Sequence, residues 1–196
     1  LKQYPSIPSK IIYSTPIYAF DKLDGSNIRV EWTRKRGFHK FGRRNGLLDD
    51  SNPILKKSIP IFEDKYSDDL EKIFCKQGWD KTIAYVEFYG SNSFAGFHDE
   101  SDDHTVTLFD VWVHKKGFVL PNHFLSLFKD VDIPNVVHRG KVNKEVEGNI
   151  RQSTLDGVTF EGVVCKGPGI SFKIKTRAWL EKLKAVYSDQ EFERLK

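Results

Sequence analysis

The 196-residue chain has no methionine and only two cysteines, Cys75 and Cys165. Two cysteines do not build a disulfide framework, so a reducing, intracellular setting is expected, with the cytoplasm as the default compartment. The lack of methionine, even at position 1, reads as a chain trimmed or processed at its N-terminus. No apolar run approaches the ~20 residues that a membrane span requires. The opening Leu1-Lys2-Gln3-Tyr4-Pro5 carries no apolar stretch of signal-peptide type. No internal repeat, low-complexity tract or linker divides the chain, and residues 1–196 are expected to form a single domain.

What is present is enough apolar material for a core and an uneven spread of charge. Hydrophobic residues make up 39% and charged residues 30%, the balance of a soluble globular chain. Net charge is +4, yet residues 29–57 hold nine cations against three acids, so the remainder sums to −2. The nine are Arg29, Arg34, Lys35, Arg36, Lys40, Arg43, Arg44, Lys56 and Lys57. A basic surplus of this kind suits a polyanionic partner. A solvated hairpin tip would carry the same charges.

Residues 1–20, punctuated by Pro5, Pro8 and Pro16, predict an extended lead-in with short strands. Residues 28–34 alternate as a strand, Arg36-Gly37 turns the chain, and 38–44 continue as a second strand. Residues 45–60 read as a loop. A helix is expected from Ser67 or Asp68, with Leu70, Ile73 and Phe74 at helical spacing and Gly78 ending it. Residues 82–89 and 105–113 predict strands joined by a polar, acidic connection over 96–103. That connection lacks a calcium-loop pattern and is read as solvated. Short helices are expected at 124–128 and 143–152, strands at 157–166 and 170–176, and a helix at 177–187. Scattered helices, short strands and no βαβ alternation argue for an α+β fold with mainly antiparallel sheets.

The stretch around which the chain is organised is Lys22-Leu23-Asp24-Gly25-Ser26-Asn27. A lysine there becomes a nucleophile if neighbouring cations, a metal ion or desolvation relieve its ammonium of a proton. Further segments supply charges in apolar strand patterns. Glu87 interrupts one strand and can serve as a salt-bridge partner or hold a ribose hydroxyl. Asp110 and Glu161 interrupt two others, and strand-borne carboxylates can hold a divalent ion or its waters. Lys173 and Lys175, two apart, lie on one strand face, opposite to Phe172 and Ile174. Paired lysines can bind phosphate oxygens and depress the pKa of a third. Phe109 can stack on a base.

Taken in order, Lys22-Leu23-Asp24-Gly25, Arg44-Asn45-Gly46, Glu87-Phe88-Tyr89-Gly90, Phe109-Asp110, Glu161-Gly162-Val163-Val164 and Lys173-Ile174-Lys175 resemble one motif set. It is that of the covalent nucleotidyltransferases, the nucleotide-dependent polynucleotide ligases and mRNA-capping guanylyltransferases. Ser26-Asn27 and Phe109-Asp110 resemble the ATP-dependent RNA ligases of the phage type-2 class. Asp24 departs from members that carry histidine there. The chain stops 21 residues after Lys175, leaving no room for an OB-fold or a helical C-terminal domain, which fits a minimal ligase or one whose C-terminal part has been removed.

The resemblance implies a nucleotidyltransferase core of antiparallel sheets flanked by helices around a nucleotide cleft. It implies that Lys22 takes AMP from ATP and passes it to a 5′-phosphate end that a 3′-hydroxyl then attacks. Lys173 and Lys175 would neutralise phosphate and depress the Lys22 pKa, Phe109 would stack on adenine, and Glu87 would take a ribose hydroxyl. Arg44 would hold ribose or the 5′-phosphate end, with Arg43 as its rival by one register. Asn27 would orient phosphates or metal-bound water, and Glu161, with Asp110, would organise Mg²⁺ or Mn²⁺. Arg34, Lys35, Arg36 and Arg43 would meet polynucleotide phosphates. The implied partners are RNA strand ends, with DNA as the alternative, for a monomer in the cytoplasm, a host's if the chain is viral. The rival readings are a capping guanylyltransferase or DNA ligase core, and a silent nucleotide- or RNA-binding domain of the same fold.

Overall fold

Alternation along Ser26–Thr33 sets the larger half of the molecule. Ile28, Val30 and Trp32 are each 0% exposed on one side, and Asn27, Arg29 and Glu31 point to the other. The computed structural model describes residues 1–91 and 101–195. In chain order its elements are β1 (Ile17–Asp21), β2 (Ser26–Thr33), β3 (Gly37–Arg43), β4 (Gly46–Leu47), α1 (Pro53–Lys56), α2 (Ser58–Lys76), β5 (Lys81–Tyr89) and β6 (Thr105–Val113). They continue as β7 (Gly117–Phe118), α3 (Pro121–Leu127), β8 (Val136–Gly140), α4 (Lys144–Arg151), β9 (Gly162–Gly167), β10 (Ile170–Lys175), α5 (Arg177–Val186) and α6 (Asp189–Leu195). The fold is α+β with antiparallel sheets flanked by helices, as expected. Its described residues divide into two units, one of residues 1–5, 25–91 and 101–133, the other of residues 6–24 and 134–195.

The first unit is a six-stranded sheet of order β4-β3-β2-β5-β6-β7, antiparallel at every pair. Helix α2 covers the Trp32 face: Phe62, Tyr66, Leu70 and Phe74, four apart, are its buried stripe, and Phe74 meets Trp32 edge-on at 5.4 Å. On the opposite face lie residues 1–5. Tyr4 packs edge-on against Tyr85, Phe109 and Phe118, and the Tyr85 hydroxyl donates to Lys2 O.

The second unit is a four-stranded antiparallel sheet of order β10-β9-β1-β8. Ile17, Ala19, Val163, Cys165, Phe172 and Ile174 form its core with Ile150 of α4. A smaller cluster joins Phe160 to Trp179 and Leu183 of α5, whose N-terminus is capped by the Thr176 hydroxyl.

Several elements depart from the sequence expectation. Helix α2 starts at Ser58 rather than at Ser67 or Asp68, because Pro60 falls in the first turn, where its missing N–H costs nothing. Strand β4 and helix α1 lie inside the expected 45–60 loop. Residues 157–161 are not strand. The backbone bends at Gly157 (φ +85°) and becomes extended sheet only from Gly162. Strand β8 and helix α6 lie outside the elements expected from the sequence. Of the acidic connection, residues 96–100 lie outside the described residues.

Candidate active site

In the second unit, chemistry gathers where three neighbouring strands end. Lys22 follows β1, and its backbone N–H donates to Gly162 O at 2.8 Å, so the lysine is tied to the start of β9. Glu161 is the residue before that strand. Gly162, at φ +134°, presses on the Ile174 carbonyl so closely that no Cβ fits, which is the physical need behind Glu161-Gly162. Lys175 closes β10 opposite Gly162.

Glu161 thereby bridges two cations. Lys22 Nζ donates to its Oε2 at 2.8 Å, and Lys175 Nζ donates to its Oε1. Lys175 also lies over the Trp179 ring, 3.5 Å from its centroid. Burial pushes the Lys175 pKa down to about 8. Glu161 opposes the shift, and the charges of Lys22 and Lys173 add to it. Lys173, two residues back on β10 and half-buried, is therefore close enough to act on the cluster electrostatically.

Two further carboxyls flank Lys22. Asp21 accepts from the Thr159 N–H at 2.9 Å and the Thr159 hydroxyl at 3.0 Å, fixing the segment that carries Glu161. Burial raises its pKa. Asp24 is pushed up to about 7, first by burial and then by the Glu161 charge. Its Oδ2 and the Trp179 Nε1 are both buried without closing a hydrogen bond, although the indole is near enough to oppose the rise.

In the first unit, Asn27 and Glu87 are directly paired across β2 and β5. Gly25 sits so close to the Phe88 carbonyl that a side chain there would collide with backbone. Strand β6 bulges opposite Tyr85 and Val86, and Phe109 is the extra residue, half-buried and braced edge-on by Tyr4 at 5.1 Å. Asp110 is buried. Its Oδ1 accepts from the Val111 N–H and its Oδ2 from the Tyr4 hydroxyl at 2.8 Å.

Arg43 ends β3 and Arg44 lies in the exposed turn to β4. Arg34, Lys35 and Arg36 are exposed at the β2–β3 turn, where Arg34 reaches Asp80 at 3.3 Å and Trp79 O at 3.1 Å. A cavity of about 430 Å³ in this unit, lined by Trp79, Phe118, Leu120 and His123 among others, contains none of these residues.

Sequence reasoning missed Asp21, Arg29 and Tyr4. Asp21 carried a signal, a charge closing the apolar run Ile17-Tyr18-Ala19-Phe20, of the kind that singled out Glu87. Tyr4, in a proline-punctuated lead-in, carried none. Among the described residues, no group of three or more His, Cys, Asp or Glu stands ready for a metal ion. No helix among them is long and apolar enough to cross a membrane.

Residues 15–180 match the family model described as RNA ligase. No curated protein matches the chain. Among solved structures, Naegleria gruberi RNA ligase with PPi is similar at a TM-score of 0.65 and 19% identity, covering 87% of this chain and 52% of that one. A mutant of the same ligase with AMP and Mn gives 0.63 and 18%, covering 87% and 52%. Another mutant with ATP and Mn gives 0.64 and 18%, covering 93% and 60%. At such identity the likeness is one of fold, and the chain spans 52–60% of the length of these structures.

Proposed function

The chain belongs to the RNA ligase family, and from that premise we propose that it is an ATP-dependent RNA ligase working through a lysyl-AMP intermediate. The observation that carries the reading is the bridge Lys22–Glu161–Lys175. A lysine in the K-x-D-G stretch is held beside a second, buried lysine by one carboxylate. Lys22 Nζ, once neutral, attacks the α-phosphorus of ATP, an N–P bond forms as the bond to pyrophosphate breaks, and the proton shed by the nitrogen passes to water. AMP then passes to a 5′-phosphate end, and a 3′-hydroxyl displaces it.

Phosphoryl transfer asks chiefly for positioning and for fixed charge where phosphate charge develops. Lys175 and Lys173 supply that charge. Asn27 orients phosphate oxygens, Glu87 takes a ribose hydroxyl, Phe109 stacks on adenine, and Arg44, with Arg43 beside it, holds ribose or the 5′-phosphate end. The acceptor is an RNA strand end, and Arg34, Lys35 and Arg36 meet its phosphates.

A divalent ion, Mn²⁺ or Mg²⁺, would neutralise phosphate charge. The donor set suits an ion that arrives with the nucleotide rather than one held by protein alone, since such ions keep waters and take one or two carboxylates. Glu161 is the ligand we assign. Asp110, whose oxygens accept from the Tyr4 hydroxyl and the Val111 N–H, is the second carboxylate of the proposal.

The test is the intact mass of the protein after incubation with ATP and a divalent ion. Gain of one AMP that survives denaturation and is lost in Lys22→Ala supports the reading. A gain from GTP alone would point to capping chemistry, and no gain from either nucleotide would leave a binding domain.

A further inference from the structure

We propose that Arg29 is a positioning residue that holds the Arg44–Asn45 turn in its working shape. The consequence for catalysis rests on the ligase reading above; the structural half does not. Arg29 lies on β2, two residues beyond Asn27, and is 3% exposed. Its Nε donates to Arg43 O at 3.0 Å, its Nη2 to the same carbonyl and to Gly46 O at 3.2 Å, and its Nη1 to Leu1 O at 2.9 Å. Arg43 and Gly46 are the paired residues that close the two-residue turn. One planar fork therefore grips both legs of the hairpin whose tip is Arg44.

The grip is tight. A Cβ at Gly42 would stand 2.8 Å from Gly46 O and 3.4 Å from Arg29 Nη2, so the strand is pressed against the guanidinium without room for a side chain. Only arginine presents five donors in a fixed plane. A lysine ammonium offers three from a point and cannot span carbonyls on separate segments in this way.

The electrostatics add a second effect. Among the described residues, the hydrogen bonds of Arg29 go to backbone carbonyls and none to a carboxylate. A buried cation without a counter-ion is costly unless its hydrogen bonds are satisfied. Here they are, and the charge stays unneutralised behind Arg43 and Arg44. The Arg29 guanidinium, held by four hydrogen bonds to three carbonyls, thus lies fixed behind the turn that carries Arg43 and Arg44.

Arg29→Gln, Arg29→Lys, Arg44→Ala and the double variant Arg29→Gln/Arg44→Ala test this in the full chain. The first measurement is hydrogen exchange of the amides of residues 43–48, compared with those of β5. Faster exchange confined to the turn is expected in Arg29→Gln, with a smaller rise in Arg29→Lys. Unchanged turn exchange in both overturns the proposal, whatever the activity. The second measurement is the rate of Lys22 adenylylation and of RNA sealing.

Arg29→Gln should lose about tenfold in whichever step Arg44→Ala impairs. The double variant should be no worse than Arg44→Ala alone, because the two act as one unit. Multiplying losses, or full activity in Arg29→Gln, overturn the catalytic half. Should Arg29→Gln fail to fold, Arg29→Lys carries both measurements. Failure of the wild type to take up AMP from ATP would instead sink the ligase reading, and the exchange data would still decide the turn.

Discussion

Lys22 Nζ lies 2.8 Å from Glu161 Oε2, although 139 residues of chain separate the two. The same carboxylate serves Lys175, so one negative charge offsets two positive ones. Glu161→Gln should therefore destabilise the protein by about 3 kcal/mol at pH 7, the low end for a broken buried pair because Lys22 is partly exposed. The loss should shrink by pH 9, where Lys175, with a pKa of about 8, is mostly neutral in either protein. Urea denaturation at the two pH values measures it, and equal losses at both would contradict the bridge.

Lys175 and Lys173 should both matter to the rate, for unequal reasons. Lys175 is buried at the end of β10 and preorganised by Glu161 and Trp179, whereas Lys173 is half-buried. Loss of one preorganised electrostatic group typically costs roughly 10²–10³ in rate. Single-turnover adenylylation of Lys175→Ala should fall by about that much, and Lys173→Ala by less. Near-wild-type rates in both from pH 6 to 10 would remove the paired-lysine argument.

Asp24 links stability to pH. Its native pKa of about 7 stands above the ordinary 3.8, so the folded state holds a proton that the unfolded chain has released between those values. The folded state's advantage is full below about pH 4 and is lost as pH rises through 7. Asp24→Asn keeps the neutral shape and should gain about 2–4 kcal/mol at pH 8 and nothing at pH 4. Thermal melts across that range test it, and a gain independent of pH would exclude the carboxyl as the cause.

The β2–β3 turn is predicted to bind polynucleotide phosphates. Arg34 is partly engaged by Asp80 and Trp79, so Lys35 and Arg36 are expected to carry more of the effect. Neutralising Lys35 and Arg36 should weaken RNA binding and lower the slope of log K against log salt by about 0.7 for each phosphate that no longer meets a cation. Lys22 adenylylation should stay unchanged. An identical salt slope would mark the turn as solvated surface.

The sheets were legible because alternation is local: Ile28, Val30 and Trp32 declare their face within one strand. The lysines and Glu161 were legible because a charge in an apolar strand is conspicuous. Strand β8 was not, since Val136-Val137-His138-Arg139-Gly140 is a short, half-exposed edge with too few apolar residues to set a period. Helix α6 did have a signal, the Ser188 hydroxyl capping toward Glu191, but too short an apolar pattern behind it. Arg29 was counted among surface cations, because nothing local tells a guanidinium that three distant carbonyls await it. The bulge that singles out Phe109 is likewise a property of pairing between β5 and β6, not of either strand alone.

The sheet order β10-β9-β1-β8 also sets a schedule during synthesis. Strand β1, with Lys22 behind it, leaves the ribosome well before β9 and β10 exist to flank it. At roughly 5–20 residues per second, the 139 residues to Glu161 take on the order of ten seconds. Throughout that interval the nascent lysine has neither its carboxylate nor its companion ammonium. Premature products ending before residue 161 carry the K-x-D-G stretch intact and still lack the surroundings that distinguish this lysine from the other side chains of its type.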